Sequence, residues 1–467
     1  MNIKRSKFRT SATLLSCILI LLITSCSKAS KGSGGTTPVK TSSSGSGDPA
    51  QYGTPYASVP NTQDMVIYEV NIKTYTPATL AGAMARLDSI KALGVNVIWL
   101  MPTYPIGVLK SVGSPYCVMD YTGVNSQFGT LADLQAYVAA AHALGMAVIM
   151  DWEANDTSWD NQWITADPSW YVQNSLGQIQ QLSTYTDVAA LNFSSQNMRL
   201  AMIKDMKYWI FAANIDGYRC DDADNAPSDF WAQALDTLNT INTHKLIYLA
   251  EGTTSGEISS GFQLDYAFNY YSSIKALFAG TSSVSSLFAT NTSEIASIPA
   301  SGTKLRYITN HDDASSDGST ITEYNGKQGA LAAFAMVAYM GGVPLIYDSQ
   351  EVGYPSAINF FNDVPVDYTA NPDMVAAYKQ ILAFRAAHIA VKIGALTQYP
   401  DLNIVAFEKT SGTDDVLILV NSKNSTESFT VPAALQNTTW INGYTGGNIT
   451  FSTQYSLAPY SYVALHR

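Results

Sequence analysis

The stretch Ile215-Asp216-Gly217-Tyr218-Arg219-Cys220-Asp221-Asp222-Ala223-Asp224 begins apolar and aromatic and turns acidic at Asp221. That is the profile of a buried strand running out into a polar loop. Side chains alternate along a strand, so Arg219 and Asp221 share a face. A guanidinium beside a carboxylate keeps it ionised and fixes its direction, as a carboxylate nucleophile requires. A structural Arg–Asp pair at a strand end is the commoner meaning of such a stretch taken alone, so its neighbours decide.

Those neighbours alternate between strand and helix. Residues 65–72 read as a first strand, and Leu80, Met84, Leu87, Ile90 and Leu93 fall at helical spacing before Gly94. Residues 95–101 make a second strand. Thr130 and Asp133 have the spacing of a capping box that opens a helix to Leu144. Residues 146–151 form a third strand, and an aromatic segment, 152–193, then interrupts the pattern. A helix over 195–213 leads back to the opening stretch. Further strands are expected at 246–251, 264–268, 305–310 and 343–347, with helices at 230–238, 329–340 and 374–387. Eight strand–helix units over roughly 320 residues predict an α/β fold, a (β/α)8 TIM barrel with a short insertion after strand 3. A doubly wound open sheet is the alternative, and no glycine-rich phosphate loop supports it. After 390 the pattern becomes short strands separated by Gly, Asn, Ser and Thr, which predicts a C-terminal antiparallel β-sandwich.

The 467 residues suffice for a large barrel, taken as 61–390, and a small second domain, 391–467. The formal net charge of −11 argues against nucleic acid as a partner and suits a neutral substrate such as a sugar. The 28 Tyr, 16 Phe and 8 Trp supply flat faces for sugar rings, though aromatics also serve as ordinary core. Residues 1–25 read as a signal peptide: a basic start, an apolar run from Leu14 to Ile23, then Cys26. Ile23-Thr24-Ser25-Cys26 resembles a bacterial lipobox, with Cys26 as the lipidated residue, and a flexible Ser/Gly-rich tether follows over 26–60. The expectation is a membrane-anchored lipoprotein of the cell envelope, on the periplasmic or outer-membrane face. Cys117 and Cys220 are too few for a disulfide framework and read as small buried hydrophobes.

In a β/α barrel the C-terminal ends of the strands converge on one face. Here those ends carry Asp151, Arg219, Asp221, Glu251, His311 and Asp312. Several carboxylates at one mouth repel one another, which is costly for mere structure. A site is the better reading, and paired carboxylates suggest glycoside hydrolysis.

At this point the chain resembles glycoside hydrolase family 13, the α-amylase family, from about Met65 to the C-terminus. The resemblance is carried by Gly217-Tyr218-Arg219-Cys220-Asp221, by Glu251 in Leu249-Ala250-Glu251-Gly252, and by Thr309-Asn310-His311-Asp312. Ser114-Pro115-Tyr116 with Asp120-Tyr121, Phe128-Gly129-Thr130, and Pro344-Leu345-Ile346-Tyr347 with Gln350-Glu351 extend it. The run from Thr186 to Asn192 looks like the maltodextrin-acting amylases of Bacteroidetes-type envelopes. The resemblance implies a retaining α-glucan hydrolase acting on maltooligosaccharides or starch by double displacement. Asp221 would be the nucleophile, Glu251 the acid/base, and Asp312 the third catalytic carboxylate. Arg219, His311 and Tyr116 would hold the sugar and the nucleophile. Asp221 and Glu251 would lie roughly 5 Å apart. A glucan transglycosylase shares all these residues, and a weakly active starch-binding lipoprotein is the alternative of another class.

Some positions depart from the family pattern. Asp156 stands where the family has His after Asn155, and is expected to face the sugar and to raise the pKa of Glu251. Ser349 stands in place of a usual Gly. The resemblance also implies a structural Ca²⁺, held through Asn155 and Asp187 with a backbone carbonyl near Asn225; oxygen ligands suit that ion.

Overall fold

The computed structural model describes residues 47–467; the signal segment, Cys26 and the tether as far as residue 46 lie outside the described residues. Residues 49–467 form one compact unit. Eight parallel strands close into a barrel: β1 (Ile67–Val70), β2 (Val97–Leu100), β3 (Ala147–Glu153), β4 (Gly217–Asp221), β5 (Ile247–Ala250), β6 (Leu264–Tyr266), β7 (Thr303–Arg306) and β8 (Val343–Tyr347). Each strand pairs with its sequence neighbours, and β1 closes on β8. This is the expected barrel, and antiparallel sheets follow it at the C-terminus.

The barrel's contents follow from the period of two. The interior core contains Ile67, Val97, Trp99, Ala147, Ile149, Ile247, Leu249, Leu264, Tyr266, Leu305, Tyr307, Val343 and Leu345. The intervening residues, such as Tyr68, Ile98, Val148, Tyr218, Tyr248 and Ile346, pack outward against the helices. Continuing the inward series up each strand changes its chemistry. Ile67 gives way to Glu69, Ile149 to Asp151, Leu249 to Glu251 and Leu345 to Tyr347. On β4 the inward series is Gly217, Arg219, Asp221. The apolar floor therefore ends one or two residues below the mouth, and the polar groups above it are aimed at each other. Gly217 permits the narrowing: at φ +138°, a Cβ there would lie 1.9 Å from the Ile247 carbonyl oxygen, so β4 and β5 close only on a glycine.

The capping box forms as expected at Thr130 and Asp133, opening the helix Leu131–Ala143. The helix expected over 80–93 is two short ones, Leu80–Met84 and Leu87–Lys91, with Arg86 between them turned onto the Tyr368 ring. After Glu153 the chain leaves the barrel into a three-stranded sheet, Asp156–Ser158, Gln181–Leu182 and Tyr185–Ala190. The insertion's aromatics pack on one another: Trp163 against Trp170 and Tyr121, and Trp152 against Tyr104, Tyr121 and Tyr218. At the C-terminus a six-stranded sheet and a two-stranded sheet, Glu427–Thr430 with Gln454–Leu457, enclose Ile404, Leu417, Leu419, Phe429, Trp440 and Leu465. The other face of the large sheet, with Val405, Phe407, Ile418 and Val420, joins the core under the barrel helices. The helix Ile389–Ile393 spans the expected break at 390. Among the described residues no helix is long and apolar enough to cross a membrane.

Candidate active site

Arg219 is the hub of the mouth. Its side chain has no solvent exposure, and its guanidinium touches carboxylates from three strands. Nη1 lies 2.8 Å from Asp151 Oδ1 and 2.6 Å from Asp221 Oδ1, and Nη2 lies 2.8 Å from Glu251 Oε2. Nε donates to the Tyr266 hydroxyl at 3.3 Å. The Trp99 ring faces the guanidinium carbon at 4.9 Å. Register explains the convergence: Asp151 on β3 lies directly beside Arg219 on β4, and Glu251 follows the last paired residue of β5. A planar fork can serve several oxygens at once where a lysine could not.

Two of the three carboxyl groups on Arg219, Glu251 and Asp151, differ in how they are held. Glu251 is pushed up to about 8: burial disfavours its charge, Arg219 opposes that, and Asp221, Asp312 and Asp222 reinforce it. The Asp222 backbone N–H donates to Glu251 Oε2 at 2.8 Å. Asp151 is raised only to about 6, again by burial, with Arg219 pulling it down. It also accepts from Trp99 Nε1 and the Tyr116 hydroxyl, each at 3.1 Å. A protonated carboxyl beside ionised ones is the pairing that general acid catalysis needs near neutral pH.

His311, Asp312 and Tyr116 complete the mouth. Asn310 caps the short helix His311–Ser316, which sets His311 inward, while the Asp312 side chain is 40% exposed at the rim. The Tyr116 ring stacks on His311, and its hydroxyl lies 2.9 Å from His311 Nε2. Asp151, Arg219, Asp221, Glu251, His311, Asp312 and Tyr116 are thus one constellation. Sequence reasoning missed four of its members: Glu69, Trp99, Asp222 and Tyr266. The signal for Glu69 was a lone carboxylate in the otherwise uncharged strand Ile67–Val70; Trp99 and Tyr266 gave none.

Two expectations need correction. Asp156 does not line the mouth. The chain turns at Asn155 into the insertion strand, and both Asp156 carboxylate oxygens are buried there. The groups whose ionisation it opposes are Cys117, Tyr121 and Tyr171. The added negative neighbour of Glu251 is Asp222 instead. The expected calcium ligands are also not brought together. Asn155 lies opposite Leu191, whose N–H donates to its carbonyl, and Asp187 is four residues further along that strand, about 13 Å away at strand rise. The Asn155 side-chain amide donates instead to the Asp221 and Asp222 carbonyls, at 3.3 and 3.1 Å. Among the described residues no three His, Cys, Asp or Glu side chains converge to hold a metal ion. These residues do not fit the ion.

Residues 50–169 match the protein-family model described as "Alpha amylase, catalytic domain". Over that stretch the chain is similar to the α-amylase family. It is 24% identical over 424 residues to the α-amylase MalA of Haloarcula japonica, an alignment that spans 87% of this chain and 62% of that protein. The chain thus covers less than two thirds of that relative's length. It is 25% identical to an α-amylase structure from Lactobacillus plantarum, with a TM-score of 0.78 over 87% of this chain and 99% of the other. It is also 27% identical over 227 residues, 42% of this chain and 33% of the other, to an α-1,4-glucan:maltose-1-phosphate maltosyltransferase of Rhodospirillum rubrum.

Proposed function

We propose that this chain is a retaining α-glucan hydrolase of the α-amylase family that cleaves α-glucosidic bonds of maltooligosaccharides or starch. The observation that carries the reading is the single buried guanidinium shared by Asp221 and Glu251, with Glu251 alone raised to about 8. In the proposed first step an Asp221 oxygen bonds to the anomeric carbon as the glucosidic C–O bond breaks. The leaving oxygen takes the proton of Glu251. Glu251, now ionised, then accepts a proton from a water whose oxygen attacks the same carbon and releases Asp221. Arg219 keeps Asp221 ionised before the attack. Asp312, exposed at the rim, accepts from sugar hydroxyls. Tyr116 stacks on the ring in the mouth.

The test is hydrolysis of maltoheptaose by the soluble protein, with the anomer of the new reducing end followed by NMR. The α-anomer should appear first; the β-anomer first, or no turnover, would overturn the reading. The likeness to a maltosyltransferase favours a second reading, transfer of glucosyl units to sugar acceptors. Products longer than the substrate, with yields rising on added maltose, would establish it. We further propose that Cys26 carries a lipid that anchors the protein in the envelope, a reading supported by the lipobox-like sequence and the tether. Cys26→Ala should move the protein to the soluble fraction, and membrane retention would refute the anchor.

A further inference from the structure

Glu69 is wholly buried inside the barrel, one layer below the carboxylates already described. Its Oε1 lies 2.6 Å from His311 Nδ1, and its Oε2 has no hydrogen-bond partner. A lone carboxylate in such a place is expensive unless a charge opposes it. The bonds on the other side of the imidazole show which charge that is. The Tyr116 hydroxyl has one proton and gives it to Asp151 Oδ2 at 3.1 Å. Its oxygen therefore receives a proton at its 2.9 Å contact with His311, so Nε2 carries a hydrogen. A neutral imidazole protonated at Nε2 would turn the bare lone pair of Nδ1 onto Glu69. The 2.6 Å contact requires a proton there as well.

We propose that Glu69 is a positioning residue for the reaction at this mouth: it holds His311 doubly protonated, as a fixed cation whose Nε2–H is aimed at Tyr116 and the bound sugar. The surroundings agree. Burial pulls His311 down, but Asp312 and Glu69 outweigh it and raise it to about 9, against the opposing charge of Arg219. Asp151 on β3 and Asp313 on the same helix also face it. The remaining walls, Phe360 and the edge of Trp99, are uncharged. The Asp312 carboxylate sits 3.6 Å from Nε2. The imidazolium thereby orients a carboxylate and a hydroxyl that both face the sugar, while Glu69 touches neither.

This inference rests on the function proposed above only for its kinetic arm. The spectroscopic arm is independent. In ¹⁵N-labelled protein the chain's five histidines are few enough to resolve, and the ring signals absent in His311→Gln identify His311. Both ring nitrogens should stay protonated from pH 6 to 8 in the wild type. In the isosteric Glu69→Gln, Nδ1 or Nε2 should lose its proton near the ordinary histidine value, about 6.5. The ratio of kcat/KM, wild type over Glu69→Gln, should rise at least tenfold between pH 6 and 8, mostly through KM. A neutral His311 in the wild type at pH 7 would overturn the proposal. So would a ratio that stays flat with pH while thermal melts show both proteins folded. If Glu69→Gln does not fold, the wild-type spectrum decides alone. If the wild type turns over no glucan, the functional reading fails while the charge state of His311 is still measured.

Discussion

Replacing Arg219 with methionine tests the charge arrangement most directly. Methionine keeps the apolar stem of the fully buried Arg219 but not its guanidinium, so one positive charge disappears from among three carboxyl groups. Removing one partner of a buried ion pair costs about 3–5 kcal/mol. At about 1.36 kcal/mol per pKa unit, that is about 2–4 units of raised pKa, shared among Asp151, Asp221 and Glu251. Asp151 at about 6 and Glu251 at about 8 already stand above the unfolded carboxylate range with the arginine present. A carboxyl whose folded pKa is raised takes up a proton on folding, so its cost is absent at low pH and grows as pH climbs to the folded value. The variant should therefore lose little stability at pH 4 to 5 and the share borne by Asp151 and Asp221 by pH 8, with the Glu251 share appearing only above pH 8, read by urea unfolding at pH 5 and pH 8. Activity should fall with it, because a protonated Asp221 is not a nucleophile. The acid limb of the kcat/KM profile should move about two pH units upward, with at least a hundredfold loss at pH 6. A stability deficit equal at pH 5 and pH 8, with an acid limb in its wild-type place, would refute the idea that Arg219 acts through charge.

Other outcomes follow from the same geometry. Asp221→Asn should abolish turnover because an amide forms no glycosyl ester, and Glu251→Gln should nearly abolish it on natural glucans, while calorimetry still shows maltooligosaccharide binding to both. Asp222→Asn keeps the backbone N–H on Glu251 but removes a negative neighbour, so the alkaline limb of the pH profile should shift downward; an unmoved limb would place the Asp222 charge outside the site's balance. Ser349 sits at φ +79°, where a side chain is strained, so Ser349→Gly should raise stability by about 1 kcal/mol, and a lower melting temperature would contradict that strain. Because the Asn155 amide ties down the Asp221 and Asp222 carbonyls, EDTA should leave the melting temperature unchanged, and a fall reversed by added Ca²⁺ would show that an ion is held after all.

The barrel was legible because its strands and helices carry different periods, and the strands reach into an apolar interior that admits few alternatives. Where boundaries slipped, polar residues hid the burial. The seventh strand is Thr303–Arg306 rather than 305–310, since Lys304 and Arg306 look exposed in sequence but are buried against Asp265 and against Glu294 with Asn291. The mouth was legible wherever a charged residue ended an apolar strand, as at Asp151, Asp221 and Glu251. Glu69 was not, because nothing near it in sequence pairs with it: its partner His311 is 242 residues away. Asp156 misled for the opposite reason. Its place in the motif is right beside Asn155, but the backbone there enters the insertion strand and the carboxylate oxygens are buried.

The charges at the mouth do not balance, and the imbalance has a sense. Glu69, Asp151, Asp221 and Asp312 bring four carboxylates within reach of two cations, Arg219 and the proposed His311 imidazolium, while Glu251 at about 8 is neutral near pH 7. A neutral sugar in the ground state gains little from that surplus. An oxocarbenium-like transition state, positive at the anomeric carbon and ring oxygen, gains a great deal, and fixed charges in a water-poor barrel need no reorganisation to act on it. The surplus is nonetheless capped. Without Arg219 the carboxylates would neutralise themselves by taking protons, and the field would vanish with the nucleophile. Without the Glu69–His311 pair one cation would titrate away near neutrality, and Asp312 would lose the partner that orients it. The two cations therefore keep the negative groups ionised, so that the reaction itself supplies the missing positive charge.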